Sequence, residues 1–238
     1  MSKNILITGA TSGIGLETSK ILSSKEGNLF LVGRNFSELE TVIKNEQLLN
    51  TKLIKADLTI NDEITSLVKE LPVLNGIVLA AGITKVLPFK FTTEADILNI
   101  NSINYNSQLL LLQKLLVSKK IAQGASIVFI SSISASTGMK ANSIYSGTKG
   151  ALISFSRSLS LELAPQKVRV NCILPGVVKT KMVRESIDPI HLEEHAKLYP
   201  LGLGEPSDVG HAIEFFLSDK SRWITGTTLT IDGGFSAQ

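Results

Sequence analysis

The chain has 238 residues, which suits one well-buried domain and falls short of two ordinary ones. Apolar residues make up 43% and charged ones 19%, with mean hydropathy +0.22, which excludes a disordered chain. A net charge of +3 without a dense Lys/Arg cluster gives no footing for nucleic acid, and a single cysteine, Cys172, excludes an intramolecular disulfide framework.

Taken in chain order, the pattern alternates strands and helices. "NILIT" (4–8) is a short apolar run closed by glycines, and predicts a buried strand. A helix follows over about 13–24, then a strand at "NLFLVG" (28–33). "SELETVIKNEQ" (37–47) is helical with Ser37 as its N-cap. "KLIKA" (52–56) and "DEITSLVKEL" (62–71) give the third strand and helix, and "GIVLAAG" (76–82) the fourth strand. One long helix over about 94–121 precedes a fifth strand at "SIVFIS" (126–131). The helix holding Tyr145 stops at Pro165. A sixth strand, "VRVNCIL" (168–174), a helix at 207–218 and a final strand, "TLTI" (228–231), complete the series. Continuous apolar strands separated by helices predict an α/β fold: a doubly wound (Rossmann) seven-stranded parallel sheet with helices on both faces. Residues 1–238 read as a single domain, with the least regular stretch, 182–204, as a mobile lid. The N-terminal residues lack a long apolar segment, and no run reaches the roughly 18–20 residues of a membrane span, so a cytoplasmic protein without membrane association is expected. Apolar neighbours in "VRVNCILPG" make Cys172 a buried structural thiol, and no metal constellation is expected.

Two motifs carry chemistry. The first is "TGATSGIG" (8–15), between the first strand and the first helix. Gly9 permits a tight turn, Gly13 lets the backbone approach a pyrophosphate, and Gly15 lets the helix pack close to the sheet. Free N–H groups at the helix start, with Thr11, Ser12 and Ile14 beside them, suit phosphate. The second is "YSGTK" (145–149), in which Tyr145 and Lys149 share one helix face. A free phenol is a poor acid near neutrality, with a pKa of about 10. A cation about 4 Å away is worth roughly 4 kcal/mol at an effective dielectric of 20, on the order of three pKa units. Lys149 is therefore expected to draw Tyr145 toward neutrality. Gly147 and Gly150 weaken the helix and suit a site where it packs on a cofactor or another helix.

Gly-x-x-x-Gly-x-Gly followed by Ser132 and Tyr-x-x-x-Lys resembles the short-chain dehydrogenase/reductase family, over essentially the whole chain. The resemblance implies an oxidoreductase in which Ser132, Tyr145 and Lys149 are catalytic, joined by Asn104 from "INSINYNSQ", with Asn101 and Asn106 close by. By the same resemblance, Lys149 also grips the nicotinamide ribose and Asn104 holds a water that relays protons. Asp57 and Leu58 match the family's adenine-contacting pair, Ala81 and Gly82 its ribose contacts, and "PGVVKT" (Pro175, Gly176, Val178, Thr180) its carboxamide loop. The chain departs from the family at "LAAG" (79–82), where Asn-Asn-Ala-Gly is common; the polar side chains that support the sheet there are missing.

At the end of the second strand an acidic residue would select NAD. Here Gly33 and Arg34 stand instead, which points to NADP, with Ser12 and Asn35 as further hydrogen-bonding groups and Glu38 one turn beyond. The architecture resembles 3-oxoacyl-[acyl-carrier-protein] reductases, with Lys119, Lys120, Lys167 and Arg169 as candidates to meet an acidic carrier. Arg184, His191 and His195 are expected to be solvated lid residues. Apolar helices around 109–117 and 151–163 point to a homo-oligomer, a tetramer or dimer. A non-catalytic NADP-binding sensor and a scaffold on the same fold are the competing readings; neither needs a tuned phenol.

Overall fold

The computed structural model describes residues 3–23, 25, 27–186 and 188–237. The described elements are β1 (Lys3–Thr8), α1 (Gly13–Ser23), β2 (Gly27–Gly33), α2 (Phe36–Glu46), β3 (Thr51–Lys55), α3 (Asn61–Glu70), β4 (Leu74–Leu79), α4 (Glu94–Asn101), α5 (Ser107–Val117), β5 (Ile121–Ile130), α6 (Ser134–Thr137), α7 (Ser143–Leu163), β6 (Arg169–Pro175), α8 (Lys181–Ser186), α9 (Pro189–Ala196), α10 (Pro206–Leu217) and β7 (Thr228–Ile231). Among the described residues the sheet has seven strands in the order β3-β2-β1-β4-β5-β6-β7, and every pairing is parallel. The order reverses between β1 and β4, so their carboxyl ends diverge into a crevice, the usual ligand site of such sheets.

The apolar runs resolve into two faces by the alternation of strand side chains. Ile127 and Phe129 of β5 join Leu6, Val32 and Ile77 in one buried cluster, while Val128 and Ile130 join Ile7, Leu31 and Ile173 in the other. Both faces are covered by helices. On one of them α10 crosses α1 so closely that a Cβ on Gly210 would lie 2.6 Å from Ile21 Cδ1.

Several boundaries differ from the sequence reading, each for a local reason. The long helix expected over 94–121 is three pieces: α4, a π-helical turn at Ser102–Asn106, and α5. β5 starts at Ile121, five residues early, because Lys119 adopts a left-handed φ of 52° and turns the chain into the sheet. Asn35, not Ser37, caps α2: its side-chain oxygen accepts from Glu38 N at 3.3 Å and from Ser37 Oγ at 2.7 Å. The stretch 182–204 is more regular than expected, since it holds most of α8 and all of α9. Among the described residues, no helix is long and apolar enough to cross a membrane.

Candidate active site

A cleft of about 270 Å³ opens at the carboxyl ends of β1, β2 and β4. Its lining includes Gly9, Thr11, Ser12, Gly13, Ile14 and Gly15 from the glycine loop, with Arg34, Asp57, Leu58, Ala81, Gly82 and Thr180. Gly9 and Gly13 have φ of 67° and 54°, which side-chain-bearing residues rarely adopt. A Cβ on Gly15 would lie 2.3 Å from Gly9 O, so the loop closes on itself only with glycine there. The first-turn N–H groups of α1, which have no intrahelical partner, belong to residues that line the cleft. The sequence reading missed Val32, Ala56, Thr59, Ile83, Ile103, Ser107 and Met182, which also line it.

The segment 80–83 forms one wall, and its backbone is tied down despite the missing asparagines. Thr8 Oγ1, fully buried, accepts from both Ala80 N and Ala81 N at 3.2 Å. Asn104, on the π-helical turn, accepts from Ile83 N at 2.8 Å and donates to Ile83 O at 2.9 Å. Its neighbours do otherwise: Asn101 donates to Ile97 O within α4, and Asn106 is exposed. Gly82 leaves room for two side chains, because a Cβ there would stand 3.3 Å from Asn104 Oδ1 and 3.4 Å from Lys149 Nζ.

Beside that wall lie Ser132, Tyr145 and Lys149. The loop after β5 hangs on β6 through Ser131 N to Ile173 O at 2.8 Å and Ile133 N to Pro175 O at 3.0 Å, which fixes Ser132 between them. Ser132 Oγ accepts from Ser134 N and Ser134 Oγ, at 3.2 and 3.0 Å, and its hydroxyl also bonds Tyr145. Lys149 is buried, donates to Ile130 O at 2.8 Å, and stands 5.5 Å from the Tyr145 ring centroid. Burial pushes its ammonium down to about 8, against a rise from the Cys172 thiol. Burial likewise pushes the Tyr145 phenol up to about 12, and a hydrogen bond with Ser132 acts in the opposite sense. The expectation that Lys149 draws the phenol down toward neutrality is therefore corrected: the half-buried phenol is raised by desolvation, and the group that lowers it is Ser132 rather than Lys149. Cys172 is the inert thiol expected, fully buried with its pKa pushed up to about 12.

A family model described as enoyl-(acyl carrier protein) reductase matches residues 9–236. The chain is 33% identical over 241 residues to an uncharacterized oxidoreductase, YmfI, of Bacillus subtilis, with 99% of each chain covered. It is 36% identical over 241 residues to a 3-oxoacyl-[acyl-carrier-protein] reductase of Mus musculus, with 98% of each covered. A solved Brucella melitensis structure, titled as a short-chain dehydrogenase/reductase of the glucose/ribitol dehydrogenase type, superposes with a TM-score of 0.91 at 29% identity over 99% of both chains. The chain belongs to the short-chain dehydrogenase/reductase family.

Members of this family are oxidoreductases that use nicotinamide dinucleotides, and the cleft fits such a group. The glycine loop offers free backbone donors at a helix start, and Gly82 keeps a hollow open between Asn104 and Lys149 that any side chain would fill. Asp57 accepts from Thr59 N and Oγ1 at 2.9 and 2.7 Å. Burial alone would raise its carboxyl, but the Thr59 bonds and the nearby Arg34 charge leave it below the ordinary carboxylate range. Arg34 is exposed at the cleft edge. Asn35 gives its side-chain oxygen to the α2 cap.

The loop 175–180, expected to hold the carboxamide, divides. Thr180 lines the cleft and its hydroxyl accepts from Val183 N at 3.4 Å at the start of α8. Pro175, Gly176 and Val178 do not line it; Gly176 N donates to Ile231 O at 2.8 Å, and Val178 bridges to Gly204. In the lid, Arg184 and His191 are exposed, as expected. His195 is not a solvated residue: its ring stacks on Phe235 at 5.8 Å, and Tyr199 stacks on Phe235 at 4.8 Å. Tyr199 Oη accepts from Val177 N at 3.2 Å, so this aromatic group ties the lid to the carboxamide loop. Among the basic candidates, Arg169 is corrected outright, being buried with its guanidinium on Ser221 Oγ at 2.8 Å and Phe216 O at 2.7 Å. Lys120 donates to Leu71 O. A Cβ on Gly147 would meet nothing within 4 Å among the described residues, so no contact within the chain explains that glycine. Among the described residues no His/Cys/Asp/Glu group could hold a metal.

Proposed function

We propose that this protein is an NADPH-dependent carbonyl reductase whose substrate is a 3-oxoacyl thioester. The observation that carries the reading is the hydrogen-bonded Ser132–Tyr145 pair with Lys149 beside it, next to Gly82 on the wall of the cleft. Bound NADPH supplies hydride to the carbonyl carbon. Ser132, whose hydroxyl bonds Tyr145 in the free protein, turns its proton to the carbonyl oxygen and stabilises the charge that develops there. Tyr145, neutral with a pKa near 12, gives its proton to the nascent alkoxide, which is the stronger base. The ammonium of Lys149 then stabilises the phenolate and would bond the cofactor's ribose, and Asn104 would hold a water through which the phenol regains its proton. Arg34, with no carboxylate at Gly33, would hold the 2′-phosphate.

The thioester is supported by the resemblance to 3-oxoacyl-[acyl-carrier-protein] reductases such as the mouse relative. Lys119 and Lys167 precede β5 and β6, at the amino end of the parallel sheet and away from the cleft, so they do not support an acidic carrier docking there. The test is a turnover assay with NADPH and 3-oxoacyl thioesters on both pantetheine and carrier protein. Oxidation of NADPH with formation of the 3-hydroxyacyl thioester supports the reading; tight NADPH binding with no reduction of any ketone in a broad panel favours a sensor. The protein is a homo-oligomer, because Leu110 and Val117 of α5 and Leu161 of α7 are exposed apolar side chains on long helices. Light scattering at micromolar concentration is expected to give a multiple of the 25.6 kDa chain mass, and a monomer mass would contradict it.

A further inference from the structure

Gln108, one turn past Asn104, has no part in the mechanism above and yet is fully buried. Its Nε2 spends both protons: one bond goes to Ala81 O at 3.1 Å and the other to Asn104 O at 2.9 Å. Its Oε1 is buried with no donor among the described residues. Turning the amide over would set that oxygen against two carbonyl oxygens, so the orientation is forced by the two bonds. A buried, unpaired acceptor is unfavourable, and an apolar side chain of the same size would avoid it. What the amide gains is a bridge between two elements that the site needs in register: the wall at Ala81, and the turn that carries Asn104.

The bridge completes a pattern. Thr8 takes the N–H groups of Ala80 and Ala81, Asn104 takes both polar groups of Ile83, and Gln108 takes the carbonyl of Ala81. The wall that carries Leu79 and Ala80 in place of polar residues thus has its backbone held by side chains from β1, the π-helical turn and α5.

We propose that Gln108 is a positioning residue, whose amide pins the Ala81 wall of the cleft to the Asn104 turn and thereby sets cofactor affinity and the alignment of Asn104 beside Lys149. The proposal rests on the reading that this cleft takes NADPH, and the experiment separates the two. Gln108→Met keeps length and shape without donors, and it also removes the unpaired oxygen. The variant is expected to melt no lower than the parent, to bind NADPH about 10-fold more weakly by fluorescence titration, and to lose about 10-fold in kcat, as slight misplacement of reacting groups can do. Backbone amides of residues 80–83 are expected to exchange about 10-fold faster in the variant, a readout that needs neither cofactor nor substrate. A parent that binds no dinucleotide would end the cofactor reading, while the exchange data would still decide the bridge. Unchanged exchange at 80–83, or an unchanged NADPH Kd in a variant whose parent binds it, overturns the proposal. Should Gln108→Met fail to fold, NMR of the parent decides: both side-chain amide protons of Gln108 are expected to be protected, and rapid exchange of the pair contradicts the bridge.

Discussion

Two segments that border the same cleft are built in opposite ways. The wall at 80–83 is held by hydrogen bonds from three buried side chains, Thr8, Asn104 and Gln108. The lid, α8 and α9 with Tyr199 after them, is held among the described residues by an aromatic stack on Phe235, by the bond from Val177 N to Tyr199 and by backbone bonds such as Leu201 N to Gly233 O, while Met182, Ile190 and Leu198 remain exposed. Hydrogen bonds fix distance and direction; stacked rings tolerate sliding. A wall of the first kind suits a cofactor that never varies, and a cover of the second kind suits a substrate that must enter and leave.

Changes on the wall side should therefore act on cofactor affinity, and changes on the lid side on substrate alone. The largest effect is expected from Lys149→Ala, which removes the ammonium at the corner of the wall. NADPH should bind more weakly, and kcat should fall by about 10³-fold, within the range of acid–base contributions. The parent's pH profile sharpens the point. Burial pushes the lysine down to about 8, so its proton is held below that pH and lost above it. The kcat/KM for NADPH should accordingly decline above about pH 8, and a profile flat well past that value would contradict the charged form's role. Next comes Arg34→Ala. A charge-assisted phosphate contact is worth about 1.5–3 kcal/mol, so paired titrations should show a preference for NADPH over NADH of about 10- to 100-fold in the parent and little in the variant. Equal parent affinities would sink the assignment. The smallest effect is expected from Phe235→Ala, which removes the ring under His195 and Tyr199. Aromatic pairs are worth about 0.5–1.5 kcal/mol, so substrate KM should rise by about 2- to 10-fold with NADPH Kd unchanged. A matched loss of NADPH affinity would erase the contrast between wall and lid.

The same contrast governs what could be read from sequence. The glycine loop was legible because a positive φ at Gly9 and Gly13 restricts the residue type. Ser132, Tyr145 and Lys149 were legible as a local pattern, and the structure brings them together. The Thr8 and Gln108 ties were not, since their partners lie 73 and 27 residues away along the chain, and nothing in a threonine or glutamine announces them. The π-helical turn at Asn104 was hidden because it interrupts a helix without changing the apolar pattern on either side. Spacing placed Tyr145 and Lys149 on one face but gave the wrong electrostatic outcome, because burial depends on the whole fold. Arg169 read as a surface cation for the same reason.

The central claim is that the Tyr145 hydroxyl is the proton donor to a carbonyl reduced at this site. Tyr145→Phe tests it most directly, because the ring is retained and only the acid is lost. With a 3-oxoacyl thioester and saturating NADPH, single-turnover reduction should slow by about 10²- to 10⁴-fold, while the NADPH Kd stays within about twofold of the parent. A Phe variant that reduces the substrate at close to the parent rate would contradict the account.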